Sequence, residues 1–400
     1  MQPKKTLIFP EKIDIMTQTR IALVIGFLLT ALLHVPAQAA RMIPAPPVIA
    51  AKSWLLIDAR TGHVITEFNS DERVAPASLT KMLTSYIASE RLKSGELKMT
   101  DVVPISEKAW RMGGSKMYVH VGHQVKVEDL MRGIIIQSGN DASIAIAENI
   151  AGSEDAFADL MNKTAQSLGM KASHFENATG WPSPNHYTTA RDLSILAQAI
   201  IYNHPEDYSL YAEKEFTYNN IRQPNRNTLL WNDPSVDGIK TGHTEEAGFC
   251  LVSSAKSSDI RLVAVVMGTK SEKERAAESL KLITYGFRFF ETAKSYTAQT
   301  SLAEPEIWMG SQGTVKLGAA EDIYITIPRG AAKDVTAELE VPELLKAPVT
   351  AGQPIGTIKL TLDGEVIANK PLVALEAVDE GGIFTRLWHW LVLLVKGLIS

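Results

Sequence analysis

The sequence predicts a mixed α/β (α+β) fold in which a helical insert divides one antiparallel sheet and a small all-β domain follows. Five strand-like runs support the sheet: 53–58, 63–68, 236–240, 248–254 and 261–268. Between about 125 and 205, apolar residues recur at helical spacing instead. Two early and three late strands around an insert indicate that the first and last segments meet in one sheet, with a cleft between sheet and insert.

The first segment, residues 1–39, has the features of a secretory signal peptide. Arg20 precedes a short apolar run over 21–33, and Ala37-Gln38-Ala39 provides a small-residue cleavage site. Cleavage is expected after Ala39, and Met16 is an alternative start. A retained membrane helix is the other interpretation, but the apolar run is short for a span of about 20 residues.

The main domain is expected over residues 40–296. Arg60-Thr61-Gly62 marks a turn between the first two strands, and a helix over 78–92 ends before Gly95. The last two strands turn at 257–259, and residues 271–291 predict a long closing helix.

Residues 297–378 predict a small all-β domain, because strand-like runs alternate with Gly and Pro turns. The predicted strands are 307–310, 313–317, 323–327, 336–341, 356–362 and 372–377. This segment contains no cluster of catalytic residue types.

The last segment, residues 379–400, predicts an amphipathic helix. Its polar residues fall within an arc of roughly 120°, and the remaining face is Phe, Trp, Leu, Val and Ile. We expect this helix to lie on a membrane surface, with tryptophans at headgroup depth and cations turned to lipid phosphates. A buried core helix and a membrane-spanning helix are the alternatives.

Composition excludes several classes of protein. The net charge of −5, without a long basic run, argues against a nucleic-acid partner. The single cysteine, Cys250, excludes an intrachain disulfide and Cys-ligated zinc, and its apolar neighbours favour a small buried side chain. His120 and His123 form a close pair without an HExxH pattern, so neither a metal ion nor another cofactor is predicted.

Three short motifs occur in order along the main domain: Ser78-Leu79-Thr80-Lys81, Ser138-Gly139-Asn140 and Lys240-Thr241-Gly242. Each alone is weak, because a second Ser-x-x-Lys occurs at 253–256. Context separates the two copies. Ser78 opens a helix, which places Lys81 one turn away on the same face, whereas the second copy lies in a strand-turn segment.

The chemistry of these residues indicates a serine nucleophile. A serine hydroxyl needs a base at hydrogen-bond distance, and Lys81 is placed to serve Ser78. A desolvated lysine beside a second cation, Lys240, would have its pKa lowered toward neutrality. Ser138 can relay the proton to a leaving amine, and Asn140 can hold Lys81 and a substrate amide.

The substrate is expected to lie between the start of this helix and the third motif. The backbone N–H of Ser78, at a helix N-terminus, is a natural donor to an oxyanion. Lys240 and Thr241 would face a terminal carboxylate of the substrate. Gly242 would leave room for a substrate backbone to approach the strand edge.

Most of the chain resembles the D-alanyl-D-alanine carboxypeptidases among the low-molecular-mass penicillin-binding proteins. The shared features are the leader, the three motifs continued as Lys-Thr-Gly-His, the β-rich domain and the C-terminal helix. The resemblance implies a penicillin-binding/serine β-lactamase-like fold and an acyl-enzyme on Ser78 that water hydrolyses. It further implies peptidoglycan stem pentapeptides as substrate, β-lactams as covalent inhibitors and a location at the periplasmic face of the inner membrane.

The resemblance also assigns three further residues. His243 would supply the second oxyanion N–H. Arg226 and Arg275 match family arginines near the carboxylate site, and a solvated surface charge is the alternative for each. The loop over 177–184 departs from the family pattern, since some members carry His-Gly-Leu-Asp where this chain has Trp181-Pro182. This departure leaves the deacylation rate and the substrate preference open.

Three other functions compete with this interpretation. A class A β-lactamase needs a glutamate on the cleft loop, and residues 177–190 contain none, although Glu176 lies just outside. A DD-endopeptidase would use the same acyl-enzyme, so the motifs do not separate it from a carboxypeptidase. A non-catalytic wall-binding protein is disfavoured because all three motifs are intact.

Overall fold

A computed structural model of the chain describes residues 43–399, and the predicted signal peptide, 1–39, lies outside the described residues. The strands are β1 (Ser53–Asp58), β2 (Val64–Phe68), β3 (Val102–Pro104), β4 (Gln124–Lys126), β5 (Glu215–Tyr218), β6 (Ile221–Pro224), β7 (Val236–Thr244), β8 (Gly248–Ser257), β9 (Ile260–Thr269), β10 (Phe290–Tyr296), β11 (Ser301–Ala303), β12 (Ile307–Trp308), β13 (Leu317–Gly318), β14 (Ile323–Pro328), β15 (Thr336–Glu340), β16 (Leu345–Lys346), β17 (Pro354–Leu362) and β18 (Glu365–Ala374). The helices are α1 (Lys81–Ser94), α2 (Glu107–Arg111), α3 (Val127–Ile135), α4 (Asn140–Ala151), α5 (Glu154–Leu168), α6 (Ala190–Asn203), α7 (Pro205–Tyr208), α8 (Leu229–Asn232), α9 (Glu272–Phe289) and α10 (Ile383–Ile399). Short 3-10 turns occupy Ala77–Thr80, Ser209–Ala212 and Ala332–Asp334.

A five-stranded antiparallel sheet, in the order β2-β1-β9-β8-β7, forms the centre of the main domain. β1 pairs with β9, with Leu56 opposite Ala264, so the early and late strands meet as predicted. β7 runs past its predicted end at Lys240 because its pairing with β8 continues to Thr244, opposite Gly248. The third motif therefore lies inside a strand and not at its end.

Both faces of this sheet are covered. Side chains along a strand alternate between the two faces. On β1, Leu55 and Ile57 join the core of the helical insert, whereas Leu56 packs in a second core with Leu282 and Ile283 of α9. The insert and α9 are thus held by opposite faces of the same strands.

Helix α1 begins where the sheet meets the insert. The 3-10 turn Ala77–Thr80 precedes it directly and holds Ser78 half-buried at that boundary. The residues from Lys81 to Ser89 are all buried, so α1 runs through the middle of the insert. It ends at Gly95, whose φ of +77° lies in the left-handed region that favours glycine. The predicted helix is therefore confirmed, with a tighter first turn.

The all-β domain follows α9, as predicted, but it begins earlier. α9 ends at Phe289, short of the predicted 291, because the next residues form β10 and pair with β14, with Glu291 opposite Ile327. By its hydrogen bonds β10 belongs with the all-β domain, although the predicted boundary left it in the main domain. β18 also starts before its predicted 372, because Ala368 already pairs with Leu360 of β17.

The C-terminal helix α10 has one exposed apolar face, and no helix within residues 43–399 is long and apolar enough to cross a membrane. The exposed apolar residues are Ile383, Phe384, Leu387, Trp388, Trp390, Leu391, Leu394 and Val395.

The other side of α10 contacts the all-β domain. His389 Nδ1 accepts the backbone N–H of Met309 at 2.8 Å, and Lys396 Nζ lies 4.7 Å from the centroid of the Trp308 ring. Arg386 forms an ion pair with Glu380. Both cations therefore have partners in the protein, and their predicted orientation toward lipid phosphates stays a prediction.

Candidate active site

The first motif brings Ser78 and Lys81 into contact. Lys81 Nζ donates to Ser78 Oγ at 3.0 Å and to the carbonyl oxygen of Thr179 at 2.6 Å. Burial lowers the pKa of Lys81 to about 7; the positive charge of Arg226 adds to this effect and Asp141 opposes it. A neutral amine at this distance can accept the proton of the Ser78 hydroxyl.

The third motif contributes a second buried lysine. Lys240 and Thr241 are 3% and 5% exposed. Burial lowers the pKa of Lys240 well below its usual value, and the charges of Lys81, Arg226 and Arg275 act in the same direction. Arg226 is a cation near Lys81 that the sequence prediction did not include. The predicted repulsion between the two lysines is also present, since the charge of Lys81 lowers the pKa of Lys240.

Gly242 lets β7 pack directly on the nucleophile turn, the 3-10 turn Ala77–Thr80. A Cβ at this position would lie 3.0 Å from the carbonyl oxygen of Pro76 and 3.3 Å from the backbone nitrogen of Leu79. The glycine therefore allows close packing within the protein, and the room for a substrate backbone stays a prediction. The next residue, His243, is exposed and stacks on Phe249, with ring centroids 3.9 Å apart.

The second motif joins α3 to α4 through a strained serine. Ser138 has φ +63°, a left-handed conformation that costs a residue with a side chain roughly 1–2 kcal/mol. Its Oγ is buried and finds no hydrogen-bond partner among the described residues. Strain and an unpaired hydroxyl together are typical of a group that acts on a substrate.

Asn140 contacts a different partner from the one predicted. Its Nδ2 donates to the carbonyl oxygen of Gly113 at 2.7 Å. Within residues 43–399 it makes no hydrogen bond to Lys81, whose Nζ donates to Ser78 Oγ and to the carbonyl oxygen of Thr179.

The two arginines take different positions. Arg275 is 3% exposed, and its Nη1 and Nη2 donate to the carbonyl oxygens of Gly242 and Arg226 at 3.5 and 3.4 Å. It therefore holds two backbone segments together behind β7. Arg226 is exposed, and it lies near enough for its charge to lower the pKa of both buried lysines.

Sequence reasoning missed the residues that present the Thr179 carbonyl. Asn177 Oδ1 accepts the backbone N–H groups of Thr179, Gly180 and Trp181 at 3.1, 2.8 and 3.0 Å. Gly180 has φ +82°, and a Cβ there would lie 1.7 Å from the carbonyl oxygen of Ala77. An asparagine three residues before a glycine is the signal that could have predicted such a turn.

Two other predictions concern residues away from this cluster. Within residues 43–399 no group of three or more His, Cys, Asp or Glu side chains is arranged to hold a metal ion, and the rings of His120 and His123 lie 5.4 Å apart. Cys250 is fully buried, as predicted, and burial raises the pKa of its thiol to about 11.

Comparison with known families gives two matches that together cover most of the chain. Residues 40–271 match the family described as D-alanyl-D-alanine carboxypeptidase, peptidase family S11. Residues 290–380 match the family described as the C-terminal domain of penicillin-binding protein 5. The second match starts at β10, in agreement with the pairing of that strand.

Similar proteins have the same architecture. The D-alanyl-D-alanine carboxypeptidase DacA of Haemophilus influenzae is 44% identical over 96% of this chain and 99% of its own length. DacA of Escherichia coli is 46% identical over 88% of this chain and 90% of its own length. The crystal structure of penicillin-binding protein 5 from Haemophilus influenzae superposes with a TM-score of 0.82 at 45% identity, over 84% of this chain and 100% of that chain.

Two further comparisons bear on the alternatives. A D-alanyl-D-alanine endopeptidase of Pseudomonas aeruginosa is 32% identical, but over 55% of this chain and 73% of its own length. Penicillin-binding protein D2 of Listeria monocytogenes, in its ampicillin-bound form, superposes with a TM-score of 0.56 at 25% identity, over 61% of this chain and 100% of that chain. The motifs, the fold and these matches agree, and the chain therefore belongs to the serine D-alanyl-D-alanine carboxypeptidase family of hydrolases.

Proposed function

We propose that the protein removes the terminal D-alanine from peptidoglycan stem pentapeptides through an acyl-enzyme on Ser78. The proposal is carried by the 3.0 Å contact between Ser78 Oγ and Lys81, a buried base whose pKa is about 7. At neutral pH about half of such lysines are neutral and can take the hydroxyl proton. The names of the relatives that match over most of the chain support the substrate.

Each step uses a group at the junction of sheet and insert. Lys81 takes the Ser78 proton while Oγ attacks the carbonyl carbon of the penultimate D-alanine. The backbone N–H groups of Ser78 and His243 hold the resulting oxyanion. Ser138 relays that proton from Lys81 to the departing amine as the C–N bond breaks, which leaves Lys81 neutral again. Water then attacks the ester with Lys81 as base, and Ser78 recovers its proton.

The terminal carboxylate of the substrate would bind at the third motif. Lys240, Thr241 and Arg226 supply two cationic groups and a hydroxyl, which suit one carboxylate. Arg275 acts from behind, since its guanidinium contacts backbone carbonyls. Asn140 contributes Oδ1 as an acceptor for a substrate amide N–H.

β-Lactams are expected to acylate the same serine. Attack by Ser78 on the lactam carbonyl would open the ring and leave an ester on the serine, and the enzyme stays inhibited until that ester is hydrolysed. The ampicillin-bound relative supports this expectation.

The protein is further proposed to act at the periplasmic face of the inner membrane. Export would use residues 1–39, and the exposed apolar face of α10, which includes Phe384 and Trp388, would bind the membrane surface.

The experiment that tests the activity uses residues 40–400 in mild detergent, with Ser78→Ala beside the wild type. Free D-alanine is measured after incubation with a pentapeptide that ends in D-Ala-D-Ala, and fluorescent penicillin labels the acylated serine. Release by the wild type and not by S78A supports the proposal. Labelling without release would favour an endopeptidase, and neither labelling nor release would leave a non-catalytic wall-binding protein.

A further inference from the structure

His186 lies outside the three motifs, yet it joins the nucleophile turn to the loop that covers the base. Its ring is 5% exposed and packs edge-on against Phe175, with centroids 5.5 Å apart. Nε2 lies 2.8 Å from Thr80 Oγ1, and Nδ1 accepts the backbone N–H of Glu176 at 3.1 Å. Thr80 ends the nucleophile turn, and Glu176 begins the loop that presents Thr179.

These contacts belong to a closed circuit that consists of hydrogen bonds and of peptide links between neighbouring residues. Glu176 is followed by Asn177, whose Oδ1 organises the turn that presents the Thr179 carbonyl. That carbonyl accepts from Lys81 Nζ at 2.6 Å. Since Lys81 follows Thr80 in the chain, the circuit begins and ends on adjacent residues. Loss of the His186 contact would remove one of the hydrogen bonds that hold this loop against the nucleophile turn.

The partners of His186 fix its protonation state. A backbone N–H always donates, so Nδ1 is unprotonated and the neutral ring carries its hydrogen on Nε2, which donates to Thr80. Burial lowers the pKa of His186 to about 4, although the carboxylate of Glu176 raises it; the charges of His174 and Lys81 lower it further. The ring is therefore neutral where Lys81 titrates and serves as a rigid pair of hydrogen-bonding groups.

We propose that His186 is a positioning residue, which holds the Thr179 loop against the nucleophile turn and thereby keeps water from Lys81. Burial is the largest cause of the lowered pKa of Lys81, ahead of the charge of Arg226. Water at Nζ would stabilise the ammonium form, and less neutral base would be present at neutral pH. The inference rests on the proposed role of Lys81 as the base.

The test separates the contact made by Nδ1 of His186 from the contact made by its Nε2. His186→Asn keeps an acceptor for Glu176 N–H and loses the donor to Thr80, whereas His186→Gln keeps a group near the Nε2 position and loses the acceptor. Thr80→Val removes the same contact from the other side without changing the shape of the side chain. The rate of penicillin acylation and kcat/KM for the pentapeptide are measured from pH 5.5 to 10, with Tm for each variant.

H186N and T80V should each shift the acid limb of both pH profiles to higher pH, by about one pH unit. The rate at pH 6 should then be about tenfold lower than in the wild type, and the rate near pH 9.5 should be unchanged. The double variant should shift no further than either single variant, because one contact is lost in all three. KM should stay constant, since Lys240, Thr241 and Arg226 are untouched. H186Q should shift the limb less than H186N.

If the acylation rate and kcat/KM fell by the same factor at every pH, with the acid limb at its wild-type position, the proposal would be overturned and His186 would be a structural residue. Additive shifts in the double variant would do the same. His123→Asn, at an exposed histidine outside the loop, is the matched control and should keep the wild-type profile. Failure of the wild type itself to release D-alanine would instead refute the proposed function, so the two failures are distinguishable.

Discussion

Lys81 shows how the surroundings of one residue decide its chemistry. A lysine in water holds its proton up to a pH of about 10.4. Burial and the nearby Arg226 lower the pKa of Lys81 to about 7, while Asp141 limits the shift. The base must be neutral to act, so acylation should rise as the pH passes through about 7 and level off above it.

Arg226→Gln should move this rise to higher pH, because the variant removes a positive charge that destabilises the ammonium form of Lys81. It should also raise KM for the pentapeptide several-fold, since the proposed carboxylate site loses one cation. Arg222→Gln is the matched control, because Arg222 is exposed and pairs with Glu215. Measurement of kcat and KM against pH checks both effects; an R226Q profile that coincides with that of R222Q would contradict them.

Gly180→Ala should abolish acylation, because its Cβ would lie 1.7 Å from the carbonyl oxygen of Ala77 and must push the loop off the nucleophile turn. Gly95→Ala is the control: Gly95 has φ +77°, but no atom lies within 4 Å of its Cβ position. It should lose only about 1–2 kcal/mol of stability from backbone strain and keep its activity. Equal acylation by both folded variants, measured with fluorescent penicillin beside Tm, would refute the steric argument.

At the scale of elements, the sequence predicted what depends on local pattern. Alternating and helical apolar spacing predicted β1, α1 and the sheet that joins β1 to β9. The pairing of β1 with β9 is a distant contact that the order of strands around the insert predicted. The predictions that failed are element boundaries, which are set by pairing with distant strands. β7 continues to Thr244 because β8 pairs with it, and β10 is a strand because β14 lies beside it. The loop that presents Thr179 has no periodicity, so its role could be seen only once Lys81 was placed against it.

The cap of α9 gives a prediction at this scale. Ser271 Oγ accepts the backbone N–H of Glu274 at 3.1 Å, and the first turn of the helix carries Arg275. Ser271→Ala should cost about 1 kcal/mol of stability and raise KM about two- to threefold, because Arg275 holds the Gly242 carbonyl on β7.

Ser153 is the matched control, since its Oγ caps α5 through the backbone N–H of Ala156 at 3.2 Å. Ser153→Ala should lower stability by a similar amount and leave KM unchanged. Denaturant unfolding and steady-state kinetics of the two variants measure the difference. If KM changed equally in both, the link from the α9 cap to the substrate site would be wrong.

On the scale of the whole molecule, a buried carboxylate joins the two domains. Asp58 ends β1, and its Oδ2 accepts the hydroxyls of Thr292 and Thr326 at 2.5 and 2.7 Å. Both threonines belong to the β10–β14 pair. Arg60 adds a cation–π contact, with its Cζ 4.0 Å from the centroid of the Tyr324 ring. The end of β1, inside the catalytic sheet, is thus fixed to the domain that carries α10.

Membrane binding by α10 should depend on apolar contact more than on charge, because Arg386 and Lys396 already have partners in the protein. In a flotation assay, the affinity of residues 40–400 for zwitterionic vesicles should therefore lie within about threefold of the affinity for anionic vesicles. The protein should also stay bound in 0.5 M NaCl, where screening removes surface attraction. Trp388→Glu should weaken binding about thirtyfold, as about 2 kcal/mol of apolar burial is lost. Thr385→Glu, on the polar side of the same helix, should bind nearly as the wild type does. Release of the wild type by salt, or binding restricted to anionic vesicles, would show instead that the cations leave their protein partners for lipid phosphates.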